Sequence, residues 1–199
     1  TLSPSSAASD VYKRQVDEAY IDYGGESALS LLPKYENLLV VRTYSKSRSM
    51  AGMRIGYAMG NKRLIQAMTD VKESINSYTM TRESIVLGAA SLADEEYFQE
   101  KKQMVVATRE RTKEELRRRG FEVLDSSANF LFAKPNSVDA GWLFEELKKE
   151  KIFVRHFNGE RIKDYLRISI GTDQQMDCLL QAIDRIMACL LYTSDAADD

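Results

Sequence analysis

The chain contains 199 residues, and 28 Lys and Arg against 30 Asp and Glu give it a formal net charge of −2. Hydrophobic residues make up 44% and charged residues 29%, which is typical of a globular protein with a sizeable core and excludes wholesale disorder. The near-neutral charge gives no electrostatic reason to expect nucleic acid as the main partner. No apolar run approaches the roughly 18 residues of a membrane-spanning helix. Two cysteines and one histidine exclude a disulfide scaffold and disfavour a metal site. The composition therefore predicts a cytoplasmic globular protein with no metal, membrane or nucleic acid partner.

The two ends of the sequence differ from the rest. Residues 1–15 and 189–199 are small and polar, without a helical or strand period. Both resemble translated sequencing-adapter sequence, although ordinary disordered termini would have the same composition. We expect both ends to be non-native, so the fold prediction rests on residues 16–188. The strand-like start at Val16 indicates a fragment of a longer protein.

The first half of the chain alternates strand and helix patterns. The apolar run Leu38–Thr43 is typical of a strand buried on both faces, and residues 55–59 predict another strand. Asn61 can cap a helix whose apolar residues recur at helical spacing, namely Leu64, Met68, Val71 and Ile75. Residues 80–119 predict one or two long helices, with four apolar residues facing inward: Ile85, Val86, Leu92 and Phe98.

The second half repeats the alternation at smaller scale. Residues 121–124, 128–133, 152–155 and 166–170 are strand candidates. Asp139 can cap one helix, and Thr172 with Gln175 forms a capping box for the last helix. The mixture predicts the α/β class, with a domain change near residue 90 that separates a first domain, 16–90, from a second, 91–188.

The most informative stretch runs from Thr43 to Tyr57. A lysine on a loop directly after a buried strand, as Lys46 is, can be held desolvated near the sheet edge, where its amine becomes a nucleophile for carbonyls. Arg54 can return as a fork for a phosphate, beside the hydroxyls of Thr43 and Ser45. An ordinary solvated lysine on a polar surface loop is the alternative.

Asp17 and Tyr20 form a second group, at the end of the strand-like stretch that begins at Val16. A carboxylate that faces a ring nitrogen keeps it protonated, and each pKa unit that it supplies corresponds to about 1.36 kcal/mol. A nearby phenol can hydrogen-bond a phenolic oxygen of a cofactor. Taken alone, the group could equally be a solvated strand end.

Together, Asp17 with Tyr20, Ser45 with Lys46, and residues 51–57 resemble the class I/II, fold-type I aminotransferases, which use pyridoxal 5'-phosphate. The similarity extends over nearly the whole chain between its two ends. It is strongest to the branch that exchanges an amino group between L-histidinol phosphate and 2-oxoglutarate in histidine biosynthesis. The resemblance implies the C-terminal part of a large three-layer α/β/α domain, followed by a small α/β domain, from an enzyme that is a homodimer when intact.

The resemblance also implies roles for individual residues. Lys46 would bind the cofactor covalently and move the proton at the substrate's alpha carbon. Asp17 would pair with the pyridinium nitrogen, and Tyr20 would contact the phenolate oxygen. The cofactor phosphate would be held by Thr43, Ser45 and Arg54.

Three further residues fit the family's substrate side. Arg167 matches the position that usually binds an anionic substrate group, and Arg155 resembles a contact to a substrate phosphate or carboxylate. Asn129 also lies at a position typical of the family's substrate pocket. An outward arginine on an alternating strand is the alternative for Arg167, and His156 is more typical of a structural residue than of a catalyst.

Several parts of the family's pocket are not in this sequence. A glycine-containing phosphate loop, an aromatic residue that stacks on the cofactor and an asparagine come from the N-terminal half in that family, and a tyrosine comes from the partner subunit. The sequence therefore predicts a fragment that is inactive alone. A related aromatic-amino-acid aminotransferase, a phospho-amino-acid decarboxylase of the same fold and a non-catalytic fragment remain open.

Overall fold

The computed structural model describes residues 14–195, with side chains described as far as residue 190. These residues form two compact units, of which the first ends at Lys102 and the second begins at Gln103. The division lies beyond the domain change expected near residue 90 and falls within the helix Glu95–Arg118. That helix contains neither glycine nor proline, so no breaker in the sequence marks the division.

A three-stranded sheet forms the centre of the first unit. Its order is β1 (Arg14–Asp17), β2 (Leu38–Thr43) and β3 (Gly56–Gly60), with β1 parallel and β3 antiparallel to β2. The bounds expected for β2 are confirmed. Its second face is less buried than expected, because side chains alternate between buried Leu38 and Val40 and their partly exposed neighbours.

Two helices follow the sheet within the first unit, and a third continues into the second. They are α1 (Lys62–Ile75), α2 (Arg82–Ala93) and α3 (Glu95–Arg118). The expected cap of α1 is confirmed, since the Asn61 side-chain oxygen accepts a hydrogen bond from the Arg63 amide at 2.9 Å. The expected long helical region is therefore two helices, α2 and α3, separated at Asp94.

Helix α2 packs through its small residues. Ser84 and Gly88 are buried one turn apart, and the Ser84 hydroxyl donates to the Met53 carbonyl at 2.8 Å. A Cβ atom on Gly88 would lie only 2.8 Å from Ile55 Cδ1, so the backbone of α2 approaches that side chain closely. Burial of Phe98 is confirmed at 9% exposure. The expectation for the other three inward residues is wrong, because they are each more than half exposed: Ile85, Val86 and Leu92.

The second unit packs helices on a four-stranded antiparallel sheet. Its strands, in spatial order, are β4 (Phe121–Val123), β5 (Phe130–Pro135), β7 (Leu166–Ser169) and β6 (Arg155–His156). Two helices complete it, α4 (Ala140–Lys149) and α5 (Asp173–Asp195). Side chains from strands and helices form one core, whose most buried members include Leu116, Leu131, Leu143, Leu147, Leu166, Ile168 and Ile183.

Both capping predictions in this unit are confirmed. Asp139 accepts from the Trp142 amide at 2.8 Å, and the Thr172 and Gln175 side chains each accept from the other's backbone amide. The strand expected at 152–155 is wrong in its start, because ladder pairing begins only at Arg155. At the start of that stretch, the Ile152 amide instead donates to the Leu147 carbonyl of α4 at 2.9 Å.

The ends of the described region belong to regular elements. β1 begins at Arg14, whose amide donates to the Asn37 carbonyl at 2.9 Å, and α5 runs to Asp195. The expectation that residues 14–15 and 189–195 lack structure is therefore wrong. Ile186 and Leu190 of α5 line a cleft together with Trp142 of α4. The remainder of both ends lies outside the described residues, and within 14–195 no helix has the length and apolar character to span a bilayer.

Candidate active site

The carboxyl ends of β1 and β2 lie side by side because these two strands are parallel. Asp17, the last residue of β1, pairs with Val41, and the amide of the next residue, Glu18, donates to the Val41 carbonyl at 2.9 Å. Residues that follow the two strands therefore meet at one edge of the sheet. In α/β sheets this edge is the usual place for ligand binding.

The structure brings three of the predicted site residues to this edge. The Lys46 Nζ atom lies 5.5 Å from the centre of the Tyr20 ring, although their segments follow different strands. Asp17 is exposed, and its Oδ1 atom accepts a hydrogen bond from the Ala19 amide at 2.9 Å, which fixes the carboxylate over its own turn. An amine, a phenol and a carboxylate thus follow two neighbouring strands at the same edge of the sheet.

Hydroxyl and guanidinium groups lie beside the lysine loop. The Thr43 Oγ1 atom accepts from the Ser45 amide at 3.0 Å and lies 2.9 Å from the Ser45 hydroxyl oxygen. Arg54 adopts a left-handed backbone conformation with φ of 55° and donates to the Ala51 carbonyl at 3.1 Å. Since Gly56 pairs with Thr43, the turn that carries Arg54 returns the chain to the end of β2. These donors have the chemistry of a phosphate site.

A buried acid next to Asp17 was not anticipated from the sequence. The Glu18 carboxylate accepts hydrogen bonds from the Ala28 amide at 2.6 Å, the Ser27 hydroxyl at 3.0 Å and Arg42 Nε at 3.0 Å. Burial alone would raise the pKa of Glu18, but these three donors together outweigh it and hold the pKa below its ordinary value. The signal was Arg42 itself, because an arginine inside an apolar strand requires a partner.

The predicted substrate residues lie in the second unit. Arg155 of β6 stands directly opposite Arg167 of β7 in the ladder. The Arg167 Nε atom is buried and has no hydrogen-bond partner among the described residues, and its guanidinium carbon lies 4.2 Å from the centre of the Phe130 ring. Two like charges in direct cross-strand register repel each other, so a bound anion would stabilise this pair.

Asn129 and His156, the two remaining residues considered from the sequence, make contacts of their own in this unit. Asn129 immediately precedes β5 and is half-buried, and its carbonyl accepts from the Ile170 amide at 2.9 Å. The His156 Nε2 atom lies 2.6 Å from the Lys163 carbonyl oxygen, so in the tautomer with hydrogen on Nε2 it donates there. This contact agrees with the structural role expected for His156.

The chain is similar to histidinol-phosphate aminotransferases both in sequence and in structure. A histidinol-phosphate aminotransferase from Clostridium acetobutylicum is 49% identical over 175 residues, which cover 88% of this chain and 49% of the relative. Another, from Chromohalobacter salexigens, is 47% identical over 86% of this chain and 49% of its own length. The crystal structure of histidinol-phosphate aminotransferase from Sinorhizobium meliloti in complex with pyridoxal-5'-phosphate superposes with a TM-score of 0.81 at 27% identity, covering 94% of this chain and 51% of that one. The chain thus spans about half the length of the curated relatives it matches.

The structural likeness confirms the expected α/β class and its fold-type I architecture. The family described as aminotransferase class I and II matches residues 15–183, which is most of the chain and includes every predicted site residue. The chain therefore belongs to the class I and II aminotransferases.

Proposed function

We propose that the chain is the C-terminal half of a pyridoxal-phosphate-dependent enzyme that converts L-histidinol phosphate and 2-oxoglutarate into imidazole acetol phosphate and L-glutamate. The observation that carries this proposal is the position of the Lys46 amine, 5.5 Å from the centre of the Tyr20 ring, at the edge of a parallel strand pair where β1 ends with Asp17. The names of relatives at 47–49% identity support the choice of substrate.

The groups at the sheet edge fit pyridoxal 5'-phosphate. The cofactor, when bound, supplies an electron sink for the substrate's alpha carbon. Lys46 would supply the primary amine that holds the cofactor through its aldehyde, and its amine would also accept and return the proton at the substrate's alpha carbon. The Asp17 carboxylate would keep the ring nitrogen protonated, and the Tyr20 hydroxyl would donate to the ring oxygen. The phosphate would be held by Thr43, Ser45 and Arg54.

The arginine pair of the second unit fits the anionic end of a substrate. Arg155 and Arg167 share one face of the β6–β7 ladder, and Arg167 has a buried Nε donor without a partner among the described residues. A phosphate or carboxylate placed there would accept from that donor and reduce the repulsion between the two cations. Asn129 is the third proposed substrate contact.

The intact enzyme is proposed to be a cytoplasmic homodimer. The free thiol of Cys178 suits a reducing compartment. Helices α1 and α2 carry exposed apolar residues, which supports the proposal that further chain or a second subunit covers them in the intact enzyme. Without those parts the 199-residue piece is proposed to be inactive.

Steady-state kinetics of the full-length enzyme test this proposal. We expect turnover of L-histidinol phosphate with 2-oxoglutarate, little turnover of phenylalanine and no release of carbon dioxide. Lys46→Ala should abolish turnover while cofactor still binds, whereas the exposed control Lys62→Ala should behave as the parent. A preference for phenylalanine would show that the proposed substrate is wrong, and release of carbon dioxide would show that the proposed reaction is wrong. Turnover by Lys46→Ala would show that Lys46 is not the catalytic amine.

A further inference from the structure

Arg48 follows Lys46 by two residues and has no part in the proposed chemistry. Its side chain is only 12% exposed, which is unusual for an arginine on a polar loop. The guanidinium carbon lies 4.0 Å from the centre of the Phe98 ring and 5.6 Å from that of Tyr44. Arg48 is therefore held between two buried aromatic rings of its own unit, rather than in solvent.

Among the described residues, the polar side-chain contacts of Arg48 are with the junction between α2 and α3. Nη1 donates to the backbone carbonyl of Ser91, and Nη2 lies 3.3 Å from the Glu95 carboxylate. Ser91 is in the last turn of α2, where backbone carbonyls lack donors within the helix. A cation at this end also complements the helix dipole. Arg48 therefore serves as a C-terminal cap of α2 that is supplied by another segment.

The other side of the lysine loop, residues 45–50, is also fixed. The Ser47 hydroxyl donates to the Asp22 carboxylate, and the Met50 amide donates to the Tyr44 carbonyl at 3.0 Å. Between these contacts Ser49 adopts a left-handed conformation with φ of 55°, which is unfavourable for a residue other than glycine. A strained turn keeps this geometry only when its surroundings enforce it.

We propose that Arg48 is a positioning residue that fixes the backbone of the lysine loop, and through it the Lys46 amine, by joining that loop to the end of α2. This proposal rests on the proposed function of Lys46. The planar guanidinium spans the Ser91 carbonyl and the Glu95 carboxylate while it stacks on Phe98. The compact ammonium of lysine can form one such contact but not the whole set.

Amide hydrogen exchange of the ligand-free 199-residue chain tests the joining of loop and helix. We expect Arg48→Met to speed exchange of the amides of residues 44–50 at least about tenfold, because charge-assisted contacts are lost. Arg48→Lys should show an intermediate effect. The matched control is Arg82→Met, which removes an exposed arginine from the other end of α2 and should leave loop exchange unchanged. Unchanged loop exchange in Arg48→Met would overturn the proposal.

Spectroscopic titration of the full-length protein with bound pyridoxal phosphate tests the effect on Lys46. We expect Arg48→Met to shift the pH midpoint of the visible absorbance change, and Arg48→Lys to restore part of it. A faster-exchanging loop with an unchanged midpoint would make Arg48 a purely structural contact and overturn its positioning role. If Lys46→Ala leaves the visible band of the parent unchanged, the proposed function of Lys46 fails instead, and the exchange result still decides whether Arg48 anchors the loop.

Discussion

Glu18 shows how a buried charge can position an exposed one. Its carboxylate joins the end of β1, the turn at Ser27 and Ala28, and Arg42 of β2 through hydrogen bonds of 2.6–3.0 Å. Asp17, the proposed partner of the cofactor ring, is the preceding residue. The Glu18 network therefore fixes the backbone from which Asp17 extends, at the point where β1 ends.

Replacing Glu18 should change stability in a way that depends on pH. Its folded-state pKa lies below the ordinary value of 4.5, so its contribution is present above pH 4.5 and is lost as the pH falls through the folded-state pKa. We expect Glu18→Gln to lower the free energy of unfolding at neutral pH by about 1–3 kcal/mol, because Arg42 loses its charged partner. The variant should also lose less stability than the parent between about pH 5 and 3.

Urea unfolding across that pH range provides the measurement. Glu36→Gln, which removes an exposed carboxylate from the same unit, is the control and should retain the acid-induced loss. Equal acid sensitivity of Glu18→Gln and the parent would show that Glu18 does not contribute in this way.

Arg54 combines a proposed phosphate contact with an unfavourable backbone conformation. Its positive φ costs about 1 kcal/mol for any residue with a Cβ atom, and glycine avoids that cost. We expect Arg54→Gly to leave the unfolding free energy equal to or above that of Arg54→Ala. In the full-length enzyme both variants should weaken pyridoxal phosphate binding about tenfold or more, with a smaller effect on turnover at saturating cofactor. A cofactor dissociation constant equal to that of the parent would exclude the phosphate role.

At the scale of elements, the packed face of α2 carries small residues. Gly88 lets the helix backbone approach Ile55, and Ser84 satisfies the Met53 carbonyl one turn earlier. Large side chains on this face would hold the helix away from the loop that precedes β3. The close approach also places Ser91, one turn beyond Gly88, where Arg48 reaches it.

Substitutions at Gly88 should therefore depend on size. Gly88→Ala gains about 1 kcal/mol of helix propensity, against the displacement of one Ile55 methyl group, so we expect a net change within about 1 kcal/mol. Gly88→Leu should destabilise by about 1–3 kcal/mol through overpacking. Thermal unfolding provides the measurement, with Ala89→Leu on the exposed side of the same helix as control. A Gly88→Leu variant as stable as that control would contradict the packing.

At the scale of the molecule, local patterns were predictable and their partners were not. Features that depend on neighbouring residues could be predicted from the sequence. They are the bounds of β2 and the caps at Asn61, Asp139 and Thr172. Helical spacing identifies the residues that share a face, but it does not determine which face has a partner. For that reason Phe98 was assigned correctly, while the large apolar residues of α2 were not.

The candidate site shows the same limit. The resemblance identified Lys46, Asp17 and Tyr20, and the structure brings them together because their strands are parallel neighbours. Arg48 was missed because its partners lie more than forty residues away, at a helix junction whose position no local pattern reveals. Long-range contacts of this kind depend on topology and not on spacing in the sequence.

The exposed apolar residues predict how the isolated chain behaves in solution. Val71 and Ile75 of α1 are 58% and 81% exposed, and α2 adds further apolar side chains. Exposed patches of this kind promote association. We expect concentration-dependent association in sedimentation velocity, reduced by the double substitution Val71→Lys and Ile75→Lys. A monomer at all concentrations would show that these residues do not cause association.

The register of β6 restricts which changes of chain length the second unit tolerates. Ile152 and Val154 pack against the core while Phe153 and Arg155 remain exposed, and Arg155 must stay on the face that Arg167 occupies. Since strand side chains alternate, inserting one residue between 151 and 155 would exchange the two faces. The segment 157–165, which joins β6 to β7, is not a strand, so an inserted residue there would not exchange two faces. Insertions and deletions during divergence should therefore accumulate in that segment, and the short approach to β6 should retain its length.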